Sequence, residues 1–285
     1  MRQIQMKTTI VPQATTVAGS SLTSDNWQES GVQAISCDLE SLIMRPGMAY
    51  LLQLDSLRAY VPWQQTLVLN ALLSGKCQQD MYLLQCPIDG HKQSFSLEEL
   101  LNLISHLAPD VVIFPNALTP RMVCRYYTEV NHPQPVSFFS KEALEASGEH
   151  TGAGVYLRWE TSQSEVDWLT EVAAYEPMPR YVFGEFDVPM IQKLIEMGVC
   201  YIASDTPAAD AMKGYLYTKS GGIALDNPGY ADEFMPIDAD CSCSTCQQQF
   251  TRAYLHHLLS QTPLLCQRLL LQHNLYFVTS LLKLK

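Results

Sequence analysis

The chain has 285 residues, of which 47% are hydrophobic and 16% are charged, so it can bury a sizeable core and is not a disordered polypeptide. Eighteen Lys and Arg against 29 Asp and Glu give a formal net charge of −11, which argues against a surface that binds polyanions over its whole area. The sequence has no long apolar run and no secretory signal, so we expect a cytoplasmic protein without a membrane span. In that reducing compartment, the nine cysteines are expected to be free thiols or metal ligands.

Short apolar runs alternate with helical stretches along most of the chain, as they do in a parallel sheet with crossover helices. The strands that we predict are 34–39, 50–54, 81–88, 111–115, 136–140, 155–159, 180–185 and 200–204. Eight strands with intervening helices favour an α/β fold, a (β/α)8 TIM-like barrel, over an open doubly wound sheet. Residues 147–154 are rich in glycine and small polar residues and predict a surface loop.

Two helices carry clear boundary signals. Ser96 with Glu99 three residues later is a capping box, so a helix is predicted from Ser96 to about His106. Asp187 is predicted to cap a second helix, which Gly198 ends before the next strand. Each helix lies directly before or after a predicted strand, as the βα units of a barrel require.

The strongest chemical signal is a group of three closely spaced cysteines, Cys241, Cys243 and Cys246. Zinc prefers four nitrogen or sulfur ligands at tetrahedral corners, and a tight turn with three thiolates can supply three of them. Two helices are predicted after this turn, one from about Phe250 and one after a break at Thr262, which is placed to cap the second helix. A zinc ion with four protein ligands is structural and not catalytic.

The fourth ligand is expected to be a histidine, and spacing alone leaves His256, His257 and His273 open. Neighbouring histidines on a helix point about 100° apart, so at most one of the pair at 256 and 257 faces inward. His273 lies roughly 15 Å along the second helix, which can fold back over the first. The metal is therefore expected to join both helices to the cysteine turn.

The C-terminal segment differs in charge from the rest of the chain. Its basic residues are Arg252, Arg268, Lys283 and Lys285. Residues 251–285 contain no acidic residue, and this asymmetry indicates a separate role for the segment. We divide the chain into a barrel at 1–230 and a zinc-binding subdomain with the C-terminal helices at 231–285.

The run CSCSTCQQQFTRAYLHHLLSQTPLLCQRLLLQHNLYF closely resembles the C-terminal zinc segment of the tRNA-guanine transglycosylases, the queuosine and archaeosine enzymes. Further segments that resemble the family are PQATTVAGSSLT, LIMRPG, IDGHKQSFSLEE, PMPRYVFGE and KGYLYTKSGGIALDNPGY. The resemblance implies a (β/α)8 barrel with a zinc subdomain near its end. It also implies Zn²⁺ ligation by Cys241, Cys243, Cys246 and His273, and so favours His273 over the histidine pair.

The catalytic positions of the family differ in this chain. In the family, one aspartate attacks the ribose C1′ of a guanine nucleotide in the tRNA anticodon, and a second aspartate serves in acid/base chemistry and base recognition. The family stretch GVDMFDCVMPTRNARNG matches GVCYIASDTPAADAMKG, which places Ala203 at the nucleophile's position. The second aspartate falls on Asn116, whose amide cannot accept a proton from a leaving base.

Groups that recognise the nucleic acid are changed as well. The two arginines that read the anticodon loop in the family fall on Ala209 and Met212. The loops that form the family's base pocket have no counterpart here, and their nearest remnant is VYLRWET with Glu160. Scaffold and zinc positions thus keep the family pattern, while positions needed for base exchange do not.

These departures favour a family member without the ancestral base exchange, acting as a non-catalytic partner or RNA-docking protein in queuosine or 7-deazaguanine tRNA modification. The expected partners are tRNA or a catalytic relative, with a homo- or hetero-dimer formed through the zinc subdomain. The alternative is an altered transglycosylase or N-glycosidase with Asp205 as nucleophile and Asn116 or Glu160 in base binding. Asp205 faces the same side as Ala203 if the strand continues that far, but the residue also fits a turn or cap. A metal-stabilised protein with an unrelated ligand is the third reading.

Overall fold

The computed structural model describes residues 7–86, 89–148 and 152–283 of the chain. The chain divides into two compact units. Residues 34–183 belong to the first unit, and the second unit combines 7–33 with 184–285. The boundary at residue 230 that we drew from the sequence stays a prediction.

The strands are short and are spread along the whole described chain. They are β1 Thr9–Val11, β2 Ala34–Asp38, β3 Thr66–Asn70, β4 Cys77–Gln78, β5 Met81–Gln85, β6 Lys92–Ser96, β7 Val111–Ile113, β8 Val136–Phe139, β9 Ala153–Arg158, β10 Arg180–Phe183, β11 Tyr201–Ala203, β12 Tyr215–Thr218 and β13 Gly221–Ala224.

Helices separate most of these strands. They are α1 Ser24–Glu29, α2 Leu39–Leu42, α3 Met48–Leu51, α4 Leu57–Tyr60, α5 Leu97–Leu107, α6 Pro120–Glu129, α7 Lys141–Ser147, α8 Glu165–Ala174, α9 Val188–Glu196, α10 Thr206–Met212, α11 Ser244–Gln247, α12 Arg252–Gln261 and α13 Pro263–Ser280. Short 3₁₀ turns lie at Gly19–Ser21, Pro228–Asp232 and Leu281–Lys283, and a kinked turn spans Ile43–Gly47.

The first unit is built on parallel strands that pair in the order β2, β3, β7, β8, β9 and β10. Strands β4, β5 and β6 form a separate antiparallel sheet. In the second unit, β1 pairs in parallel with β11, and β12 and β13 form an antiparallel hairpin. Parallel strands with crossover helices are the elements of a TIM-like α/β fold, so the predicted fold class is confirmed.

One predicted strand is wrong, and a second is a strand that lies outside the parallel sheet. Residues 50–54 end helix α3 and continue into a turn, with Tyr50 and Leu52 exposed on either side of buried Leu51. The run at 81–88 contains β5, which pairs with β6 in the antiparallel sheet. Its burial alternates from residue to residue, as is typical of a sheet with one exposed face. The last two residues of that run lie outside the described residues. The parallel strands in their place are β1 and β3, which sequence reasoning missed.

The predicted starts of two helices are confirmed. The Ser96–Glu99 capping box is present at the start of α5, and the side chain of Asp187 caps α9 by accepting from the Met190 N–H at 2.8 Å. Thr262 occupies the predicted N-cap position of α13, directly before Pro263, but its side chain makes no capping hydrogen bond. Part of the predicted loop at 147–154 lies outside the described residues. None of the helices in the described ranges is long and apolar enough to cross a membrane.

Helix α13 is the central element of the second unit. It packs against α10, α12 and β12, and it also contacts α1 and α11. Its buried residues include Leu270, Leu271, His273, Asn274 and Leu275. A helix that buries polar residues beside leucines must satisfy their hydrogen bonds internally. The buried polar residues of α13, His273 and Asn274, therefore mark the region in which we look for a functional site.

Candidate metal centre and strand-end residues

The structure brings the predicted metal ligands together. The Sγ atoms of Cys241, Cys243 and Cys246 lie 3.7, 3.4 and 3.5 Å from Nδ1 of His273, and all four atoms lie within 4.8 Å of one another. His273, Cys243 and Cys246 are almost completely buried, while Cys241 is partly exposed. Four soft or borderline donors thus converge on one small volume.

The spacing of these donors fits a tetrahedral zinc ion. With Zn–S bonds of about 2.3 Å and Zn–N bonds of about 2.0–2.1 Å, a tetrahedral ion holds sulfur and nitrogen roughly 3.5 Å apart. The three observed sulfur-to-nitrogen distances lie close to that value. The donor set of three thiols and one imidazole is that of a closed structural site. The cluster can therefore hold a metal ion without an open coordination position for a substrate.

A hydrogen bond to the backbone orients the imidazole. Nε2 of His273 lies 2.8 Å from the carbonyl oxygen of Tyr217, which can only accept, so Nε2 carries the proton and donates it. Nδ1 is then the nitrogen that faces the sulfurs. Such an outer hydrogen bond fixes the tautomer and ring plane of a metal-binding histidine.

The thiols change one another's ionisation. Hydrogen bonds from Cys243 and Cys246 lower the pKa of Cys241 well below its ordinary value. The same contacts, together with burial, raise the pKa of Cys243. Burial lowers the pKa of His273, but hydrogen bonds to Cys241 and Cys246 outweigh burial and raise the pKa to about 9. A divalent cation held by the three sulfurs and Nδ1 would favour the ionised form of the thiols.

Asn274, the neighbour of His273, has no solvent exposure and was not predicted as a site residue. Its Oδ1 accepts from the N–H of Tyr217 at 3.1 Å, and its Nδ2 donates to the carbonyls of Pro207 and Tyr215 at 3.0 and 2.9 Å. His273 and Asn274 therefore bind both backbone groups of Tyr217. Together they fix strand β12 and the first turn of α10 to helix α13.

Ala203, at the position where the family nucleophile is expected, is the last residue of β11. It has no solvent exposure and pairs with Val11 of β1. Its carbonyl accepts a hydrogen bond from the N–H of Gly184 at 3.2 Å. A buried methyl group offers neither a nucleophile nor a proton acceptor.

Asp205 does not continue the strand. It adopts an αR conformation with φ −97° and ψ −6° and occupies the N-cap position of α10, without a side-chain capping bond. Its Oδ1 accepts from Oγ1 of Thr16 at 3.0 Å. Burial raises the pKa of Asp205 from 3.8 to about 6, and the Thr16 bond offsets part of that rise. The condition that made Asp205 equivalent to Ala203, a strand extending to residue 205, is therefore not met.

The other two predicted site residues lie in the first unit. Asn116 is exposed in the turn after β7 and lines a cavity of about 370 Å³ that includes Cys77 and Tyr82. Glu160 is exposed just beyond β9, where its Oε1 lies 3.7 Å from Nε of Arg158. Neither side chain contributes to the metal cluster. Their predicted role in base binding stays a prediction.

The remaining histidine candidates and one basic residue of the tail have other contacts. Nδ1 of His256 lies 2.6 Å from the carbonyl of Leu225, and His257 is exposed, so neither is in the metal cluster. Arg252 is paired with Glu233 at 2.8 Å. Its positive charge is thus compensated within the second unit.

The fold and the cluster define a class: a TIM-like α/β protein with a Cys₃His centre near its C-terminus. The family model described as queuine tRNA-ribosyltransferase matches residues 140–284, about half of the chain. The chain therefore belongs to the queuine tRNA-ribosyltransferase family.

Curated relatives agree with this assignment. The chain is 26% identical to the queuine tRNA-ribosyltransferase of Syntrophobacter fumaroxidans over 313 aligned residues, which cover 95% of this chain and 83% of that protein. It is 25% identical to the queuine tRNA-ribosyltransferase of Lachnospira eligens, over 93% of this chain and 83% of that protein. For the queuine tRNA-ribosyltransferase of Dichelobacter nodosus the identity is 24%, over 98% of this chain and 86% of that protein.

Proposed function

We propose that this protein works in tRNA modification of the queuosine or 7-deazaguanine type without performing the family's base exchange. Its family membership supports the context of tRNA modification. The single observation that carries the loss of activity is the buried methyl of Ala203 at the end of β11. Covalent base exchange needs a carboxylate at that point to attack C1′ and to stabilise an oxocarbenium-like transition state.

The cysteine–histidine cluster has a structural role in this proposal. Cys241, Cys243, Cys246 and His273 hold one Zn²⁺, which supplies no chemistry beyond joining the turn to helix α13. The close donor spacing and the Nε2 bond of His273 to Tyr217 support this role. The bound metal stabilises the second unit, because an unfolded chain does not present the four donors together.

The non-catalytic role that we propose is that of a partner subunit. Several large apolar side chains of the C-terminal region are exposed, among them Phe234 and Leu264 at 80% and Met235, Tyr254 and Leu265 at about half. An exposed apolar surface of this kind is typical of an interface between proteins. The occupant that we propose is a catalytic relative of the same family, which supplies the nucleophile that position 203 lacks.

Contact with tRNA is a second part of the role. Arg268 and Lys283 are exposed on the C-terminal helices, whereas Arg252 is paired with Glu233. Few free basic residues make few phosphate contacts, so the protein alone is expected to bind RNA weakly and with strong dependence on salt. Joint binding with a catalytic subunit compensates for this weakness.

Incubation with labelled guanine and a tRNA that carries a GUN anticodon tests the proposal. The purified, zinc-loaded protein is assayed alone and mixed with a full-length catalytic relative. We expect no incorporation by the protein alone and a changed rate or tRNA affinity in the mixture. Incorporation by the protein alone that is abolished in Asp205→Ala contradicts the proposal.

A second candidate function is supported by Asp205. Its carboxyl is partly buried, and its pKa is raised to about 6. In this alternative, Asp205 acts as the nucleophile of an altered transglycosylase or an N-glycosidase. Asp210→Ala is a matched control, because Asp210 lies on the same helix and bonds to Tyr217. A loss of turnover in Asp205→Ala but not in Asp210→Ala is the result that selects this function.

A further inference from the structure

A cavity of about 790 Å³ lies in the second unit next to the metal cluster. Its walls are the start of α9, the β12–β13 hairpin, the loop 238–242 and the end of α13, and we call it the hairpin cavity. Pockets that bind small molecules have volumes of about 300–1,000 Å³. Ala203 and Asp205 do not line this cavity. A ligand in this cavity is therefore separate from the positions on which the proposed function depends.

Two carboxylates stand near one buried phenol in this cavity. The hydroxyl of Tyr217 donates to Oδ2 of Asp210 at 2.6 Å. Oδ1 of Asp187 accepts from the N–H of Met190 as the cap of α9. Both aspartates line the cavity.

The basic residues of the cavity do not neutralise these two carboxylates. Nζ of Lys219 is paired with Asp240 at 3.3 Å, and Nζ of Lys283 lies over the ring of Tyr276 at 5.8 Å. Among the residues that the structure describes, no lysine, arginine or histidine forms an ion pair with Asp187 or Asp210. Asp187 and Asp210 therefore bring negative charge to the cavity wall without an ion-pair partner of their own among the described residues.

Aromatic rings form the adjacent wall. The ring of Tyr217 lies 6.1 Å from that of Tyr215 and 5.8 Å from that of Phe277. The hydroxyl of Tyr215 reaches across the hairpin to Gly222, where a Cβ atom would overlap it. Aromatic faces attract cations and provide flat apolar area for a ligand. The cavity thus combines negative charge with aromatic walls.

We propose that the hairpin cavity binds a small organic cation, an amine carried on a flat apolar body. The ammonium group lies at the Asp187 and Asp210 end, and the apolar body packs on Tyr215 and Phe277. The two carboxylates, which have no ion-pair partner in the described part of the chain, attract the ammonium group of the ligand, and the aromatic rings shield this group from water. A phosphate-bearing ligand is disfavoured, because the lining has four aspartates and two lysines.

Tyramine and its neutral counterpart tyrosol are the probes for this site. Isothermal titration of the zinc-loaded full chain at low salt measures both affinities. We expect saturable binding of tyramine in the millimolar range or tighter, and at least tenfold weaker binding of tyrosol, which lacks the charge. Equal affinities for the two probes, or no saturable signal for tyramine up to about 10 mM, overturn the proposal.

Isosteric variants locate the binding site. The double variant Asp187→Asn with Asp210→Asn keeps the cap of α9 and an acceptor for Tyr217, and we expect it to weaken tyramine binding at least tenfold. Asp226→Asn, at an exposed position that does not line the cavity, is the matched control and is expected to change the affinity less than about twofold. Unchanged tyramine affinity in the double variant overturns the assignment of the site.

A single-stranded oligouridylate tests the competing possibility of RNA. We expect no specific binding of this probe in the cavity. Oligouridylate binding that is lost in Lys219→Gln, and that tyramine displaces, places RNA in the cavity and contradicts the proposal.

Discussion

The amide nitrogen of Asn274 donates a hydrogen bond to the carbonyl of Pro207 at 3.0 Å. Pro207 lies in the first turn of α10, two residues after Asp205, whereas Asn274 directly follows His273 on α13. The bond therefore joins the helix that enters the metal cluster to the helix that begins at the end of β11. Since Asn274 is fully buried, no water can replace its contacts.

Asn274→Ala is expected to destabilise the protein by about 2–4 kcal/mol. The change leaves the Tyr217 N–H and the carbonyls of Pro207 and Tyr215 without their partner in a buried site. Urea unfolding of the zinc-loaded protein measures the change in the free energy of unfolding. Zinc content is expected to remain near one ion per chain, because the donor atoms are unchanged. Gln248→Ala, at an exposed position, is the control, and a loss below about 1 kcal/mol for Asn274→Ala contradicts this role.

Cys246→Ser is expected to reduce zinc content below one ion per chain and to lower the stability of the protein. A serine hydroxyl is a poor substitute for a thiolate ligand, and the binding free energy of a structural metal contributes to folding. Metal analysis by mass spectrometry after dialysis, with thermal unfolding alongside, provides both measurements. Cys266→Ser is the control for a buried cysteine outside the cluster, since its Sγ faces the carbonyl of Leu255. Equal zinc content in both variants argues against the cluster as the metal site.

The sequence predicted the parts of the structure that depend on local signals. The Ser96–Glu99 capping box and the spacing of the three cysteines depend on neighbouring residues only, and the structure contains both arrangements. The strand at 50–54 was wrong because a short apolar run does not distinguish a strand from a helical turn. Strand β1 was missed because only two of its three residues are apolar, whereas all three are apolar in the equally short β7 and β11.

Contacts between residues that are distant along the chain were not predicted, because they depend on how the elements pack together. Asn274 is one polar residue in an apolar helix, and its role becomes visible only when α13 lies against β12 and α10. The sequence left open whether Asp205 continues the strand or lies in a turn or cap, because it does not mark where β11 ends and α10 begins. The residue at which β11 ends and the residue at which α10 begins depend on tertiary packing as well as on the local sequence.

Gly154→Ala is expected to destabilise the first unit by about 2–4 kcal/mol. A Cβ atom at this position in β9 would overlap the ring of Phe138 and approach the carbonyl oxygen of Pro179 to 2.9 Å. Phe138 is fully buried, so the ring cannot move without disturbing the core. Chemical unfolding is the measurement, and Gly229→Ala in an exposed turn is the control. A loss for Gly154→Ala no larger than that for the control contradicts the close contact.

Asp205→Asn is expected to remove a pH dependence of stability. The pKa of Asp205 in the folded protein, about 6, is higher than the unfolded value of 3.8, because burial disfavours the carboxylate. The folded state therefore binds this proton more tightly than the unfolded state does. The protonated carboxyl thus contributes to the free energy of unfolding, and this contribution is fully present below pH 4 and is lost as the pH rises to about 6. The neutral amide does not suffer this loss. The free energy of unfolding of the variant minus that of the parent is expected to be about 1–2 kcal/mol larger at pH 7 than at pH 4, a value reduced for the partial exposure of Asp205.

Urea unfolding of parent and variant at pH 4 and pH 7 measures this difference. Thr16→Val provides a second check, since loss of the hydroxyl that donates to Oδ1 is expected to raise the pKa of Asp205 further and to steepen the decline between these pH values. Asp226→Asn, in an exposed turn, is the control and is expected to leave the pH dependence of the parent unchanged. Because parent and variant differ at one group, other titrations cancel in the comparison. Parallel stability profiles for the parent and Asp205→Asn would show that burial does not penalise this carboxylate.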